Sequence, residues 1–336
     1  MKKKYLIAYA QDRALPMITA EDCLHLTHIN LSFAIPRSGV LSLENFEHLD
    51  ELDRIRSYNK ELKVVLSIGG AMVGGFSTLA RTAAGRERFA VSVAEAVERL
   101  GLDGADLDWE FPCNGWWEGA DDSPEDKENF TLLLQQMRHA LGSGKILSIA
   151  AGAMPRFVED TQMDQAAAVL DYVQIMTYDM RPGCFYTGHH ASLFPSRDDP
   201  WGDSTQQAVK RFFKAGVPLD KIVIGAAFYG RKLVGGAAGQ GLVRRADSMG
   251  DFAGIYDTIR QYEQEGDWQV CWDEAAQANY MLRGDQFISY ESARAIRLKC
   301  RYVLEQNLAG IMYWEHSYDT SHDLLKMMAE ELYGQQ

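Results

Sequence analysis

The sequence predicts an α/β protein folded as one (β/α)8 barrel, the TIM-barrel arrangement, with a small α+β insertion between the seventh and eighth strands. Three observations predict it. Eight short apolar runs punctuate the 336 residues, most of them separated by longer amphipathic stretches, as when buried parallel strands alternate with helical crossovers. Eight is also the strand number that closes a parallel barrel. Finally, no GxGxxG or GxxxxGK[ST] follows the first run, which weakens the nucleotide-binding form of the open doubly wound sheet, the other fold with this alternation.

The elements follow in order. In "MKKKYLIAYAQD" the basic start resembles a signal n-region, but about six apolar residues fall short of the roughly 7–15 of a secretory h-region, so residues 5–10 read as the first buried strand. As it stands the sequence suggests a cytoplasmic protein, or a secreted or cell-wall protein if a leader has been removed. "HINLSFAI" (28–35) and "KVVLSIG" (63–69) are the second and third strands, and "GRERFAVSVAEAVERLG" (85–101) is a helix with one apolar face. "GADLDWEF" (104–111) is the fourth strand. "DKENFTLLLQQMRHALG" (126–142) is a helix with Asp126 as N-cap and Gly142 just past its end. "ILSIAAGA" (146–153), "YVQIMTY" (172–178), "IVIGAAFY" (222–229) and "GIMYWE" (310–315) complete the set. The gap from 229 to 310 is the longest and contains Gly-rich, aromatic and short β-like pieces. Residues 231–290 are therefore assigned to the insertion, and residues 1–230 and 291–336 to the barrel.

Composition narrows the function. A net charge of −13 argues against nucleic acid or an anionic membrane as the main partner. No apolar run approaches the ~20 residues of a membrane span. Cys23, Cys113, Cys184, Cys271 and Cys300 are dispersed without CxxC spacing, which reads as reduced thiols and not a disulfide framework or zinc knuckle.

The chemistry concentrates in "DGADLDWEFP" (103–112). On a strand, Asp106, Asp108 and Glu110 share one side while Leu107, Trp109 and Phe111 share the other. In a barrel the acids would form an inward column climbing to the C-terminal rim, where barrel active sites lie. Asp103 has the opposite parity and is assigned a structural role at the lower end. Three acids stacked at roughly 6–7 Å per two residues cannot all ionise cheaply in a low-dielectric interior, so at least one should hold a proton near neutrality. Glu110, nearest the rim, is the natural general acid, with Asp108 placed to share its proton and Asp106 bonding Asp108 from below. A solvated acidic strand and a Mg²⁺ or Ca²⁺ site are the rival readings. The first leaves the apolar partners unexplained, and the second lacks an EF-hand loop or His–Glu helix motif.

"LDGADLDWEFP" resembles the DxxDxDxE signature of glycoside hydrolase family 18, the chitinase family. "LSIGG" (66–70) resembles its SxGG motif, "MTYD" (176–179) its MxYD, "FYGR" (228–231) its YGR, "MYW" (312–314) its MxW, and "TGHHASLF" (187–194) one of its loops, in family order along nearly the whole chain. The resemblance implies substrate-assisted retaining hydrolysis of β-1,4-linked N-acetylglucosamine, in chitin or chitooligosaccharides. Glu110 would protonate the glycosidic oxygen, and the substrate's own acetamido carbonyl would attack C1. Asp108 would stabilise the resulting oxazolinium, tuned by Asp106. Tyr178 would donate to the acetamido carbonyl and Asp179 would bond the sugar. Ser67 and Tyr9 would sit under the lower acids and bond them in alternate rotamers, Trp314 would floor the subsite, Phe33, Met176, Met312, Tyr229 and Arg231 would line it, and Gly70 is counted with the substrate-binding residues. Taken alone, Phe33, Met176 and Met312 read equally as core filler. No metal or cofactor is implied, His189 and His190 reading as polar loop residues. A monomer acting on an N-acetylglucosamine-containing glycan is expected, with neither nucleic acid nor membrane as partner.

Two departures bear on substrate. Ala71 stands where many members carry Trp, so a stacking platform on the leaving-group side is missing. Trp116 and Trp117, on the loop after the acid, offer a replacement or simply pack the loop, and Trp268 and Trp272 are weaker candidates. Two alternatives share the fold: a non-catalytic chitin-binding lectin, disfavoured because Glu110 is present, and an endo-N-acetylglucosaminidase or peptidoglycan hydrolase with different cleft loops.

Overall fold

The computed structural model describes residues 3–181, 185–199, 202–235, 242–247 and 250–334. Its strands are β1 (Tyr5–Gln11), β2 (His28–Arg37), β3 (Val40–Ser42), β4 (Lys63–Gly69), β5 (Gly104–Asp108), β6 (Ile146–Gly152), β7 (Tyr172–Met176), β8 (Ile222–Ala227), β9 (Tyr229–Val234), β10 (Asp251–Ile255), β11 (Gln269–Asp273), β12 (Ala278–Arg283), β13 (Gln286–Tyr290) and β14 (Gly310–Trp314). Eight of them, in the order β1-β14-β8-β7-β6-β5-β4-β2, pair in parallel, and β1–β2 pairing closes the ring. This is a (β/α)8 barrel.

Side-chain alternation divides the core in two. Outward residues such as Leu66, Leu107 and Ile149 meet the helices in one large apolar shell. A smaller inner cluster contains Ile7, Tyr9, Tyr172, Val223, Ala309 and Met312, with Phe33, Met176, Tyr178 and Trp314 packed on it towards the rim. Polar residues share this interior because every strand contributes inward positions, and several of these carry chemistry instead of aliphatics.

Local details differ from the sequence reading. The second strand runs on to Arg37 and turns through Ser38 and Gly39, both at positive φ, into β3, the geometry of a two-residue hairpin. β5 ends at Asp108, three residues early. Its last pairing is Gly69↔Asp108, beyond which Glu110–Phe111 is a cis peptide and Pro112 follows. Asp126 is the first helical residue and not the cap, because its Oδ2 accepts from the backbone N–H of Ser123 at 2.8 Å. Gly142 does end that helix, at φ 73°.

After Ala227 the chain leaves the barrel for a five-stranded antiparallel sheet, β10-β9-β13-β12-β11, with the helix Tyr256–Glu265 packed beside it. The sheet thus begins at Tyr229 and takes in Arg231. Trp268 is 6% exposed in its apolar core beneath Arg283, so it is packing and not a surface platform. Trp272 lies under Arg294, 3.8 Å from the guanidinium carbon to the ring centroid. Among the described residues no helix is long and apolar enough to cross a membrane, and Cys23, Cys113, Cys271 and Cys300 are unpaired; Cys184 lies outside the described residues.

Candidate active site

The acids of β5 do form a graded column. Asp106, at its base, is fully buried. Its Oδ2 accepts from Tyr9 Oη at 2.9 Å and Ser67 Oγ at 2.8 Å, and its Oδ1 from Ser148 Oγ at 2.7 Å and Gln174 Nε2 at 2.9 Å. Burial raises its pKa, and these donors oppose the rise by solvating the anion. Gln174 is fixed in turn by Asn30, whose amide donates to Gln174 Oε1 at 3.0 Å.

Asp108, in the middle, is 3% exposed, and its Oδ1 has no hydrogen-bond partner. Burial, and then the charges of Glu110 and Asp106, push its pKa well above the usual carboxylate range. An unsatisfied buried carboxylate oxygen is costly as an anion and far less so as an acid, so Asp108 is the natural holder of a proton. Glu110 stands at the rim, beyond the end of β5. Burial first, and Asp179 second, push its pKa up to about 7. Glu110 and Asp108 therefore titrate as a linked pair.

The glycines beside the column explain its shape. A Cβ on Gly69 (φ 121°) would lie 2.0 Å from the carbonyl oxygen of Asp108, and one on Gly70 (φ 96°) would lie 2.8 Å from the Phe33 ring. Gly70 also donates its backbone N–H to that carbonyl at 2.9 Å. The Gly-Gly pair thus lets the end of β4 press against β5 below Glu110. Gly225 on β8 does the same for Tyr178, whose ring would be 2.7 Å from a Cβ there.

Across the rim, Tyr178 packs edge to face on Tyr229 at 6.0 Å, and its hydroxyl faces Met312 Sδ at 3.8 Å. Trp314 stacks on Phe33 (5.4 Å, 16°), with Tyr9 tilted beneath at 5.9 Å, while Met176 joins the same apolar cluster. Asp179, at φ 51°, is engaged by Arg231, with Nε at 2.6 Å and Nη2 at 2.5 Å, and by Tyr229 Oη at 2.7 Å. Burial raises its pKa, but the Arg231 guanidinium and then His190 outweigh that and hold it well below the ordinary value. The β9 arginine and tyrosine therefore tie the second sheet to the barrel rim. Trp117 packs edge-on against the half-exposed Trp116 and, among the described residues, shares no ring contact with the column. Ala71 and Met72 are exposed at the end of β4.

Asp103 accepts from Val64 N at 2.9 Å and Lys63 Nζ at 3.2 Å, which is a structural role at the strand's beginning. Sequence reasoning missed Ser148, Gln174 and Asn30. Each is a polar residue in an otherwise buried strand, and that was the available signal. It also missed the pair of Lys299 with Glu291 (2.8 Å), both nearly inaccessible, in which Lys299 donates to the carbonyls of Gly225 and Thr177 and braces the turn into Tyr178. His189 and His190 are buried, His189 3.2 Å from Asp273 and His190 3.5 Å from Asp179.

A closed barrel whose rim presents a glutamate of raised pKa above two buried aspartates on one strand defines a glycoside hydrolase class of site. The chain belongs to glycosyl hydrolase family 18, whose family model matches residues 5–319. It is 32% identical over 313 residues to chitinase A1 of Niallia circulans, covering 85% of this chain and 44% of that protein. It is 30% identical over 284 residues to chitinase 1 of Aphanocladium album, covering 80% of this chain and 64% of that one. The chain thus spans less than two thirds of either relative. A family 18 N-acetylglucosaminidase from Paenibacillus barengoltzii superposes with a TM-score of 0.94 at 40% identity, covering 98% of this chain and 99% of the other.

Proposed function

We propose that this chain is a retaining hydrolase of β-1,4-linked N-acetylglucosamine that works by substrate assistance. The observation that carries the reading is the gradient in the acid column: Asp106 saturated by four donors, Asp108 with a bare buried oxygen, Glu110 with a pKa near 7 at the rim. Glu110 donates its proton to the glycosidic oxygen as the bond breaks. The acetamido carbonyl closes on C1, so no protein carboxylate needs to reach the anomeric carbon. Asp108 passes its proton on to Glu110 as Glu110 gives its own to the glycosidic oxygen, and then accepts from the acetamido N–H, where its ionised form balances the oxazolinium charge. Tyr178 donates its hydroxyl to the acetamido oxygen, and burial keeps that phenol protonated at any working pH. Trp314, flanked by Phe33, Met176 and Met312, supplies the apolar floor for the sugar. Asp179 acts with its carboxylate held by Arg231 and Tyr229 and so presents a fixed edge to the sugar.

Short, soluble oligomers are the proposed substrate. The likeness to the Paenibacillus N-acetylglucosaminidase and the small, exposed Ala71 in place of an aromatic platform both support that reading. Residues 231–290 are proposed as an inserted subdomain that walls one side of the cleft. A single chain supplies every group named, in keeping with a monomer. Two measurements test the assignment. Fluorophore release from a chitobioside is expected to fall 10²–10⁴-fold in Glu110→Gln with the fold intact, and unchanged turnover overturns the assignment. A substrate with hydroxyl in place of the 2-acetamido group is expected to be inert; its hydrolysis would remove substrate assistance.

A further inference from the structure

Away from the acid column, the first and last segments of the barrel meet at a cluster the reaction does not use. Asp22 lies on the short helix Ala20–His25 after β1, whereas His316 follows β14 and His322 precedes the final helix Asp323–Tyr333. The two imidazole rings meet edge to face at 5.2 Å. His322 Nδ1 lies 2.8 Å from Asp22 Oδ1, and His316 Nε2 lies 3.6 Å from Asp22 Oδ2. One nitrogen or oxygen from each residue falls within 4.8 Å of the others.

His316 is the informative member. It is 3% exposed, and its Nε2 has no hydrogen-bond partner. Its other nitrogen, Nδ1, is 2.9 Å from the Tyr313 hydroxyl. A buried imidazole fixed through one nitrogen, with the other bare and aimed at a carboxylate, is how metal-ligating histidines are held by their outer partners. Asp22 is oriented as well, since Thr19 donates to its Oδ2 from backbone N–H at 2.8 Å and hydroxyl at 2.7 Å.

The geometry points to a transition-metal site, best suited to Zn²⁺, formed by the Asp22 carboxylate, His316 Nε2 and His322 Nδ1. Two imidazoles and one carboxylate match zinc, while Mg²⁺ and Ca²⁺ prefer oxygen alone. Ligand atoms around a tetrahedral ion with bonds of about 2.0–2.2 Å stand roughly 3.3–3.5 Å apart. The separation of His316 Nε2 from Asp22 Oδ2 is 3.6 Å, close to that spacing. His322 meets the other carboxylate oxygen, Oδ1, and one ligand atom from each residue falls within 4.8 Å of the others, so the set contracts as the ion enters. His322, at hydrogen-bond distance, binds as the neutral tautomer protonated on Nε2, its Nδ1 free of a proton, and withdraws about half an ångström as the ion enters. Its side chain is 24% exposed, which gives the ion a way in, and water completes the coordination. The ion ties the first helix to the last and steadies the connection that follows Trp314. It is a brace for barrel closure and takes no part in bond cleavage.

The test uses the untagged full chain, stripped with a chelator and titrated with zinc chloride by calorimetry and by thermal melting. One equivalent per chain is expected. Tm should rise by about 4 °C at a hundredfold excess over Kd and fall back when chelator is added. Cobalt(II) in its place should give the visible absorption of a low-coordinate ion. His322→Ala, at the accessible edge and clear of the Tyr313 contact, should abolish both signals. His25→Ala, which removes the neighbouring His25–Glu21 pair, should keep them. Absence of stoichiometric uptake by the native chain, retention of it in His322→Ala, or its loss in His25→Ala overturns the proposal.

Discussion

Replacing Glu110 by glutamine should remove activity and yet stabilise the protein, but only at high pH. In the folded chain the Glu110 pKa is raised from 4.5 to about 7, by burial first and by Asp179 second. The folded state therefore binds this proton more tightly than the unfolded chain does. The sign follows from linkage: the native glutamate costs nothing below about pH 4.5, and its penalty grows as pH rises and is complete above about 7. At about 1.4 kcal/mol for each tenfold change in proton affinity, that rise sets a ceiling of about 3 kcal/mol. Glu110 is partly accessible at the rim and linked to Asp108, so only part of that, ~2 kcal/mol, is expected. With an unfolding entropy near 2.1 cal/mol/K per residue, this corresponds to a Tm gain of about 2–3 °C. The assay is a pair of melts, native and Glu110→Gln, at pH 8 and at pH 4. The gain should appear at pH 8 and vanish at pH 4. An equal gain at both values would trace it to packing, and a loss at pH 8 would show that the native carboxylate is not strained by its site.

Other perturbations probe the rest of the column. In the native enzyme the basic limb of the kcat/KM profile should fall near pH 7, as Glu110 loses its proton, and a limb several units away would separate the acid from this residue. Gln174→Leu deletes one donor to ionised Asp106, a charge-assisted bond of about 1.5–3 kcal/mol, so the Asp106 pKa rises and the acid limb moves up by about 1–2 units with KM little changed. An unmoved acid limb would deny the Asp106 network its tuning role. Gly69→Ala forces a side chain onto the Asp108 carbonyl at positive φ and should cost about 2–4 kcal/mol by chemical unfolding, and a neutral result would mean the β4–β5 contact is slack.

Much of this molecule can be read from its sequence because the relevant signals are local. The eight barrel strands lie within a few residues of their apolar runs, and alternation along 104–111 separates Asp106, Asp108 and Glu110 from Leu107, Trp109 and Phe111. Boundaries were less legible. β5 stops at Asp108 because pairing with Gly69 ends there, and β9 starts at Tyr229 because the chain turns out of the barrel after Ala227. The early start of the second sheet also gave Arg231 its partner, since β9 carries both Tyr229 and Arg231 to Asp179.

What the sequence determined by itself was the order of the acids along one strand and the face they share, because a period of two is a property of the backbone. What only the tertiary structure decided was who solvates each acid. Asp106 draws its four donors from β1, β4, β6 and β7, as far as 97 residues away, whereas Asp108, two positions on, leaves an oxygen bare. The Asp22–His316–His322 cluster likewise exists only because closing the barrel sets residues 300 apart side by side. Those neighbours depend on strand register and barrel closure, which are fixed by packing across the whole ring and leave no trace in any short stretch of sequence.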